Sequence, residues 1–239
     1  MIIIPARIGS TRFPNKILAD IDGVPMVIRT AKAIENIDDI LIATDSDEVI
    51  NIAKHFGYKA ILTDTNHQSG TDRIFEAAKK FGLSGNDIVI NVQADEPFIE
   101  ESVVKAVYEL TKKNISNEKI IMNSCYKILN SSQADDPNLV KVVISKNSNA
   151  LYFSRSKIPY PRDHHFDEFK GHIGIYGFSM KSLEIFCSLK TSLIEHIEKL
   201  EQLRALDNDY SISMIEVETN SFGIDTQEDL DRALKFHIL

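Results

Sequence analysis

The sequence lacks any apolar run approaching the roughly 20 residues that a membrane-spanning helix needs. Its apolar start, MIII, stops at Pro5 and has neither the basic leader nor the length of a signal peptide. We therefore expect a soluble cytoplasmic protein with no membrane insertion.

Cysteine is scarce, because Cys125 and Cys187 are the only two in 239 residues. Two cysteines so far apart favour a reduced cytosolic protein and leave a single disulfide as the alternative. We interpret both as core thiols. The seven histidines never take the spacing of a metal site and HExxH is absent, so no zinc site is predicted.

Excess positive charge is also missing. The formal net charge is −8, which disfavours nucleic acid as a partner, so a polyanionic ligand would need a local basic patch. What remains is ordinary globular composition, with 43% hydrophobic and 26% charged residues. A chain of 239 residues suits one large α/β domain over residues 1–239.

The first half of the chain alternates short apolar runs with amphipathic segments. This alternation predicts a parallel, doubly wound sheet with helices on both faces. The predicted strands are residues 1–4, 40–43, 59–63 and 87–92, and the predicted helices are residues 25–34, 47–56, 71–81 and 100–113.

After about residue 118 the strands follow one another with less helix between them. They are predicted at 119–128, 139–144, 150–154, 171–179 and 211–217, with helices at 192–207 and 226–237. This pattern indicates a smaller mixed or antiparallel excursion from the main sheet. No repeat or Pro/Gly linker divides the chain.

The loop after the first strand lies where open α/β sheets bind ligands. Between Arg7 and Lys16 it carries three cations, a glycine and two hydroxyl side chains, which is typical of a triphosphate clamp. Neither GxxxxGK[ST] nor GxGxxG is present, which excludes a Walker loop and a dinucleotide fingerprint. A solvated basic loop is the alternative.

Two aspartates follow predicted strands. Asp95 comes after the strand at 87–92, and Asp225 comes after the strand at 211–217. Carboxylates suit Mg²⁺, and two of them beside a triphosphate clamp fit metal-assisted phosphoryl or nucleotidyl transfer. The alternative is that each caps the next helix, with Glu228 completing a capping box for Asp225.

Two other polar segments carry weaker signals. The loop from His67 to Arg73 suits contact with a base or a phosphate, and a plain turn is the alternative. In the predicted helix 192–207, Glu195, Glu198 and Glu201 recur every third residue, which is typical of a solvated helix face.

Taken in order, nine segments resemble those of the 3-deoxy-manno-octulosonate (Kdo) cytidylyltransferases. They run from Met1 to about Leu230 and are IIPARIGSTRFPNKIL, ATDSDEV, HQSGTDR, VQADEP, DPNLVKVV, ALYFSRSKIPY, HIGIYGF, LIEHIEKLEQLR and GIDTQEDL. An ordered series of this length is far more specific than any one of its motifs.

The resemblance implies a nucleotide-diphospho-sugar-transferase-like (Rossmann-like) α/β fold and a homodimer. It also implies CTP and Kdo as substrates, Mg²⁺ as the cofactor and a place in lipopolysaccharide biosynthesis. Residues 1–117 would mainly bind CTP, and residues 118–239 would mainly bind the sugar and the second subunit.

The resemblance also implies roles for the matching residues. The nucleotide-binding set is Ala6, Arg7, Ser10, Arg12, Lys16, Ser69, Gly70 and Arg73. The sugar-binding set is Gln93, Arg155, His172, Tyr176, Glu201 and Gln202. Asp95 and Asp225 would bind Mg²⁺ and, together with Arg7 and Lys16, form the catalytic group.

Two positions depart from the family pattern. Ala94 stands where VQGDEP has glycine, which puts a methyl group beside the metal loop. Gly171 stands where a basic residue usually precedes His172. Neither departure removes an implied ligand.

The chemistry of the substrates agrees with these roles. Kdo carries a carboxylate on its anomeric carbon, which Arg155 suits by a two-point contact, with His172 as a nearby donor. The anomeric hydroxyl would attack the α-phosphorus of CTP in line and expel pyrophosphate, without a covalent intermediate.

Two alternatives remain at this stage. One is a CMP-activating enzyme for another acidic sugar, such as a nonulosonic acid or amino-Kdo. The other is a non-catalytic nucleotide-binding protein, which would be expected to lose Lys16, Asp95 or Asp225, although all three are present.

Overall fold

A computed structural model describes residues 1–9, 13–67, 69–163 and 166–237. Ser10 and Arg12, both predicted to bind nucleotide, lie outside these residues. The strands are β1 (Ile2–Ala6), β2 (Asp20–Ile21), β3 (Val24–Pro25), β4 (Ile40–Thr44), β5 (Lys59–Leu62), β6 (Ile88–Asn91), β7 (Ile120–Leu129), β8 (Lys141–Ile144), β9 (Ala150–Ser154), β10 (Phe169–Ser179) and β11 (Ser211–Glu216). The helices are α1 (Met26–Ile34), α2 (Asp47–His55), α3 (Gly70–Phe81), α4 (Glu101–Asn114), α5 (Ser131–Ala134), α6 (Met180–Ser188), α7 (Leu193–Glu198), α8 (Leu203–Asp207) and α9 (Gln227–His237).

Within the described ranges, one sheet of nine strands forms the centre of the fold, in the order β11-β7-β10-β6-β1-β4-β5. Strands β6, β1, β4 and β5 are parallel, whereas β10 runs antiparallel to both β6 and β7. Strand β8 pairs with β10 and β9, which gives the antiparallel excursion. The predicted change from a parallel to a mixed sheet is therefore confirmed.

Both faces of this sheet are covered, as the apolar runs predict. On β1, the side chain of Ile3 packs on one face with α3 and α6, while Ile2 and Ile4 pack on the other with α1 and α4. All three isoleucines are fully buried, because a strand covered on both faces alternates between two cores rather than between core and water.

The single helix predicted at 192–207 is wrong, because it is two short helices. Helix α7 ends at Glu198, and Lys199 then takes the left-handed conformation with φ of 54°. Helix α8 begins four residues later at Leu203. The apolar spacing of the sequence continues through the break and therefore conceals it.

The charged residues on α7 and α8 are not all solvated, contrary to the prediction for this segment. The guanidinium of Arg204 donates two hydrogen bonds to the buried carboxylate of Glu195, at 3.0 and 2.7 Å. The same guanidinium lies 4.9 Å from the centre of the Phe186 ring. These contacts fix α8 against α7 and α6.

The parallel strands bring their carboxyl ends to one edge of the sheet. The loops after β1, β4 and β6 begin there, at Arg7, Asp45 and Val92 respectively. In the described part of the chain, no helix combines the length and apolarity needed to cross a bilayer.

Candidate active site

Lys16 lies between two aspartates that are distant in the sequence. It follows the first loop, at the start of a short 3-10 helix (Lys16–Leu18). Its Nζ donates to Asp95 Oδ2 at 2.6 Å and to Asp225 Oδ1 at 2.9 Å. The phosphate loop, the end of β6 and the segment before α9 therefore meet at one ammonium group.

The Lys16 ammonium stays charged in this position. Burial by itself would lower the pKa of Lys16, but Asp95 and Asp225 outweigh burial and raise that pKa above its ordinary value. The two carboxylates and the ammonium together carry a formal charge of −1.

Neither aspartate is used as a helix cap. Thr226 caps α9, because the amide of Asp229 donates to Thr226 Oγ1 and the amide of Thr226 donates to Asp229 Oδ2. Helix α4 begins after Glu100, well beyond Asp95. The capping alternatives, including the capping box with Glu228, are therefore wrong, and both carboxylates face Lys16.

A chamber of about 380 Å³ opens beside this cluster. Its lining includes the predicted nucleotide residues Arg7, Lys16, Ser69, Gly70 and Arg73, together with Gly9, His67, Gln93, Asp95 and Asp225. Ala6, in contrast, is fully buried in β1. The first loop and the start of α3 thus form two walls of one chamber.

Arg73 is held by Asp45, which the sequence analysis did not select. Its guanidinium donates to Asp45 Oδ2 at 3.0 Å and to Thr63 Oγ1 at 2.6 Å. The other oxygen of Asp45 accepts the amide of Ile8 at 3.1 Å. Asp45 follows β4 at the ligand edge, so the strand-end signal used for Asp95 would also have found it.

Ser69 and Gly70 form the amino end of α3 at the chamber wall. Ser69 Oγ accepts the amide of Asp72, which caps the helix. The positive end of the helix dipole is therefore directed towards the chamber, which favours an anion there. His67 is paired with Glu76, whose pKa falls to about 2 because hydrogen bonds from Lys80, Asp64 and His67 outweigh the opposing effect of burial.

A second chamber, of about 710 Å³, adjoins the first. It contains five of the six predicted sugar residues: Gln93, His172, Tyr176, Glu201 and Gln202. Lys127, Lys199 and Arg232 also line it, as do Glu96, Asp136 and Asp229, so the chamber has both basic and acidic side chains. Gly70, Gln93 and Asp225 line both chambers and therefore form the boundary between them.

A hydrogen-bonded chain orders the wall of the second chamber. The hydroxyl of Ser124 donates to the carbonyl of Ile175 at 2.8 Å and lies 3.0 Å from His172 Nε2. The other ring nitrogen of His172, Nδ1, lies 3.5 Å from Nε2 of the Gln202 amide. The hydroxyl of Tyr176 donates to the other end of Gln202 at 3.3 Å.

His172 is a neutral residue held between Ser124 and Gln202. Burial lowers its pKa to about 3. Its ring nitrogens contact Ser124 and Gln202, so it helps to orient the Gln202 amide, and its predicted role as a donor to the sugar stays a prediction.

Glu201 offers an acceptor to the second chamber. Its Oε2 accepts from Thr71 Oγ1 at 2.8 Å, while its buried Oε1 makes no hydrogen bond within the described structure. Burial raises the pKa of this carboxyl group. The Oε1 atom lies 3.9 Å from Arg204 Nη2, so the guanidinium that pairs with Glu195 also offsets the charge of Glu201.

Arg155 does not line either chamber among the residues that the structure describes. Its Nε donates to the carbonyl of Glu198 at 2.8 Å and its Nη1 to that of Pro137 at 3.2 Å. The Glu198 carboxylate in turn accepts the amide of Arg155 and the hydroxyl of Ser154. The guanidinium thus joins two backbone segments, and the predicted contact between Arg155 and a sugar carboxylate stays a prediction.

The two departures from the family pattern have local explanations. A side chain at Gly171 would bring its Cβ within 2.6 Å of Leu129 Cδ1, so a basic residue does not fit unless Leu129 moves. Ala94 is buried, and its carbonyl accepts the hydroxyl of Thr30 at 2.9 Å. Its methyl group adds to the wall of the first chamber without removing a polar contact.

The acidic pair suits a magnesium ion that is shared with a substrate. Mg²⁺ commonly takes one or two protein carboxylates and completes its octahedron with waters and phosphate oxygens. Asp95 and Asp225 already stabilise one cation, the Lys16 ammonium, between them. Across the described ranges no cluster of three or more His, Cys, Asp and Glu side chains has metal-site geometry, so the pair fits a partial site and not a complete protein cage.

Comparisons with known proteins agree with this geometry. A family profile described as "Cytidylyltransferase" matches residues 1–213. The 3-deoxy-manno-octulosonate cytidylyltransferase of a Nitratiruptor species is 53% identical over 232 residues, covering 97% of this chain and 97% of that protein. Its namesake in Wolinella succinogenes is 50% identical, covering 98% of both chains.

A solved structure gives the same result at the level of the fold. The structure of CMP:2-keto-3-deoxy-manno-octonic acid synthetase complexed with CTP matches with a TM-score of 0.90 and 36% identity. The match covers 100% of this chain and 98% of that one. The predicted fold class, a mixed sheet flanked by helices with a smaller antiparallel excursion, is thereby confirmed.

Proposed function

Because the chain belongs to the cytidylyltransferase family, in its 3-deoxy-manno-octulosonate (Kdo) branch, we propose that it couples CTP and Kdo into CMP-Kdo and pyrophosphate. The single observation that carries the proposal is the pair of adjoining chambers. One is lined by three basic side chains, two aspartates and the start of a helix. The other is lined by amides, hydroxyls and both acidic and basic side chains, and Asp225 lies at their boundary.

The smaller chamber suits the triphosphate of CTP. Arg7 and Lys16 supply positive charge, and the amino end of α3 at Ser69 and Gly70 adds partial positive charge. Arg73 acts through Asp45, because its guanidinium is already paired there. Ser10 and Arg12 complete the proposed nucleotide loop on the strength of the sequence resemblance.

The larger chamber suits an acidic polyol. Gln93, Tyr176, Glu201 and Gln202 present donors and acceptors to hydroxyl groups, while His172 fixes the orientation of Gln202. Lys127, Lys199 and Arg232 provide countercharge for the sugar carboxylate. In this proposal Arg155 shapes the chamber and does not contact the substrate.

The reaction is an in-line displacement at the α-phosphorus. The anomeric oxygen of Kdo forms a bond to that phosphorus, its proton is lost to solvent, and the bond to the bridging oxygen of pyrophosphate breaks. Mg²⁺, held by Asp95 and Asp225, would neutralise phosphate charge and stabilise the transition state electrostatically. Arg7 and Lys16 orient the triphosphate, and Gln93 and Gly70 bound the passage through which the two substrates meet.

The same proposal includes a cytoplasmic homodimer that acts in lipopolysaccharide biosynthesis. Leu193 and Ile197 lie one turn apart on α7 with 73% and 69% of their surfaces exposed, and Leu151 on β9 is 59% exposed. Exposed apolar side chains of this size favour contact with a second copy of the chain. The nucleotide half would then be residues 1–117, and the sugar and dimer half residues 118–239.

A direct product assay tests the proposal. The purified chain is incubated with CTP, Kdo and Mg²⁺, and CMP-Kdo is detected by its mass alongside released pyrophosphate. Parallel reactions replace Kdo with amino-Kdo or a nonulosonic acid. Product from one of these sugars and none from Kdo would reassign the substrate. Nucleotide binding with no product from any sugar would support a non-catalytic nucleotide-binding protein.

A further inference from the structure

The Lys16 ammonium occupies the position between the two carboxylates proposed to hold the metal. Its Nζ is within 2.6 Å of Asp95 and 2.9 Å of Asp225, and 11% of the Lys16 side chain is exposed. A cation that enters between these carboxylates would be opposed by the ammonium, both by its volume and by its like charge.

We propose that Lys16 is a placeholder cation that keeps divalent metal away from Asp95 and Asp225 until CTP binds. This inference rests on the proposed function. The triphosphate draws the ammonium away from the aspartates, and the vacated carboxylates then receive the divalent ion together with the phosphates. Metal binding is thereby made dependent on nucleotide binding.

The geometry of Lys16 makes this exchange feasible without movement of the backbone. Its side chain lines the chamber assigned to the triphosphate, and it ends in a compact charge on a flexible four-carbon stem. Rotation of that stem exchanges carboxylate oxygens for phosphate oxygens as hydrogen-bond acceptors. The ammonium therefore remains paired in both states, which avoids the cost of leaving a buried charge uncompensated.

The exchange also explains why the aspartates remain close together without a metal. Two carboxylates directed at one point repel each other, and the ammonium offsets that repulsion in the free chain. The placeholder thus preserves the site before the metal arrives. By thermodynamic linkage, the nucleotide raises the affinity for metal by the same factor as the metal raises the affinity for nucleotide.

Binding of Mn²⁺ to the intact chain tests the inference, with free Mn²⁺ measured by electron paramagnetic resonance. Wild type, Lys16→Met and Arg7→Met are each titrated without nucleotide and with a non-hydrolysable CTP analogue. Arg7→Met is the matched control, because it removes the same charge from the same chamber, where Arg7 is exposed at the wall.

We expect Lys16→Met to bind Mn²⁺ without nucleotide at least about tenfold more tightly than wild type, which corresponds to about 1.4 kcal/mol. Arg7→Met should stay within about threefold of wild type under the same conditions, since it removes charge but no placeholder. The CTP analogue should tighten Mn²⁺ binding to wild type more than it tightens binding to Lys16→Met. The double variant Lys16→Met/Asp95→Asn should lose the increase in Mn²⁺ affinity. That loss would show that the increase depends on the contact between Lys16 and Asp95.

Equal Mn²⁺ affinities of wild type and Lys16→Met without nucleotide would overturn the inference, as would equal gains in Lys16→Met and Arg7→Met. If Lys16→Met does not fold, Lys16→Gln replaces it in the nucleotide-free titration, because it also removes the ammonium, and an Mn²⁺ affinity equal to that of wild type would contradict the exchange. The product assay distinguishes failure of the placeholder inference from failure of the proposed function. CMP-Kdo formation together with a failed Mn²⁺ test rejects only the placeholder, whereas no product and no Mn²⁺ binding in any combination rejects the proposed function as well.

Discussion

The carboxylate of Asp45 holds the backbone amide of Ile8, with Oδ1 accepting that N–H at 3.1 Å. Its other oxygen is paired with the buried guanidinium of Arg73. One side chain at the end of β4 thus connects the loop after β1 to helix α3. The two walls of the smaller chamber are fixed relative to each other through this carboxylate.

We expect Asp45→Asn to raise the KM for CTP by about tenfold, equivalent to about 1.4 kcal/mol, and to leave the KM for Kdo within about twofold. The amide can still accept from Ile8 but leaves Arg73 without an anionic partner. Steady-state kinetics with each substrate varied in turn measures this. Asp39→Asn is the control, because Asp39 pairs with Lys59 on an exposed surface. Equal rises in both KM values would contradict the role of Asp45 in the nucleotide loop.

Asp95→Asn and Asp225→Asn should each lower kcat/KM at least about a hundredfold, since metal-assisted charge stabilisation contributes several kcal/mol. Neither change should lower the melting temperature appreciably, because the cap of α9 is made by Thr226 and Asp229. Asp229→Asn provides the contrast, with a loss of about 1 kcal/mol in unfolding free energy. Activity retained by Asp95→Asn at saturating Mg²⁺ would remove that residue from the metal site.

Arg155→Ala and Glu198→Gln should each raise the KM for Kdo about tenfold while changing the KM for CTP little. Both residues anchor the segment before Glu201 and Gln202, because they connect the end of β9 to the end of α7. Arg162→Ala, an exposed arginine in the following loop, is the control.

A double variant separates positioning from direct contact. If Arg155 and Glu198 act through the same junction, Arg155→Ala/Glu198→Gln should be scarcely worse than the poorer single variant. If the guanidinium contacts the sugar carboxylate, the two losses should multiply. The comparison uses kcat/KM for Kdo at saturating CTP.

The neutral state of His172 makes stability depend on pH. Its pKa is about 3 in the folded chain and 6.5 in the unfolded chain, so the unfolded state binds the proton first. The contribution of neutral His172 to the free energy of unfolding is complete above pH 6.5 and decreases as the pH falls towards 3. At pH 5 the loss from this residue is about 2 kcal/mol.

Denaturant unfolding at pH 7 and pH 5 measures this effect. We expect the unfolding free energy of wild type to fall by about 2 kcal/mol more than that of His172→Gln between these pH values. Wild type and His172→Gln have all other titrating groups in common, so the effects of those groups cancel when the two changes in unfolding free energy are subtracted. Parallel pH dependence of the two chains would show that His172 is not kept neutral by burial.

The sequence predicts the parallel half of the fold well, because its strands are buried on both faces and appear as unbroken apolar runs. Residues 40–43 and 87–92 correspond closely to β4 and β6. The break between α7 and α8 was missed because it depends on one left-handed residue, Lys199, that leaves the apolar spacing intact. Helix α6 was also missed, although the capping pair Ser179 and Ser182 marks its start.

In the site, too, residues marked by a local sequence pattern were predicted, whereas contacts that depend on tertiary packing were missed. Lys16, Asp95 and Asp225 were predicted from loops that follow strands, and the structure brings them together. Ser124 was not predicted, because its contact with His172 depends on the pairing of β7 with β10. The partners of Arg155 were missed for the same reason, since Pro137 and Glu198 approach it only through tertiary packing.

The boundary formed by Gly70, Gln93 and Asp225 has a consequence for inhibitor design. If each chamber binds one substrate, a compound that fills one chamber would compete with that substrate alone, whereas a cytidine joined to an acidic polyol would bind both chambers at once. The linker of such a compound would lie beside Gly70, Gln93 and Asp225, and its length would set the effective concentration of the second group.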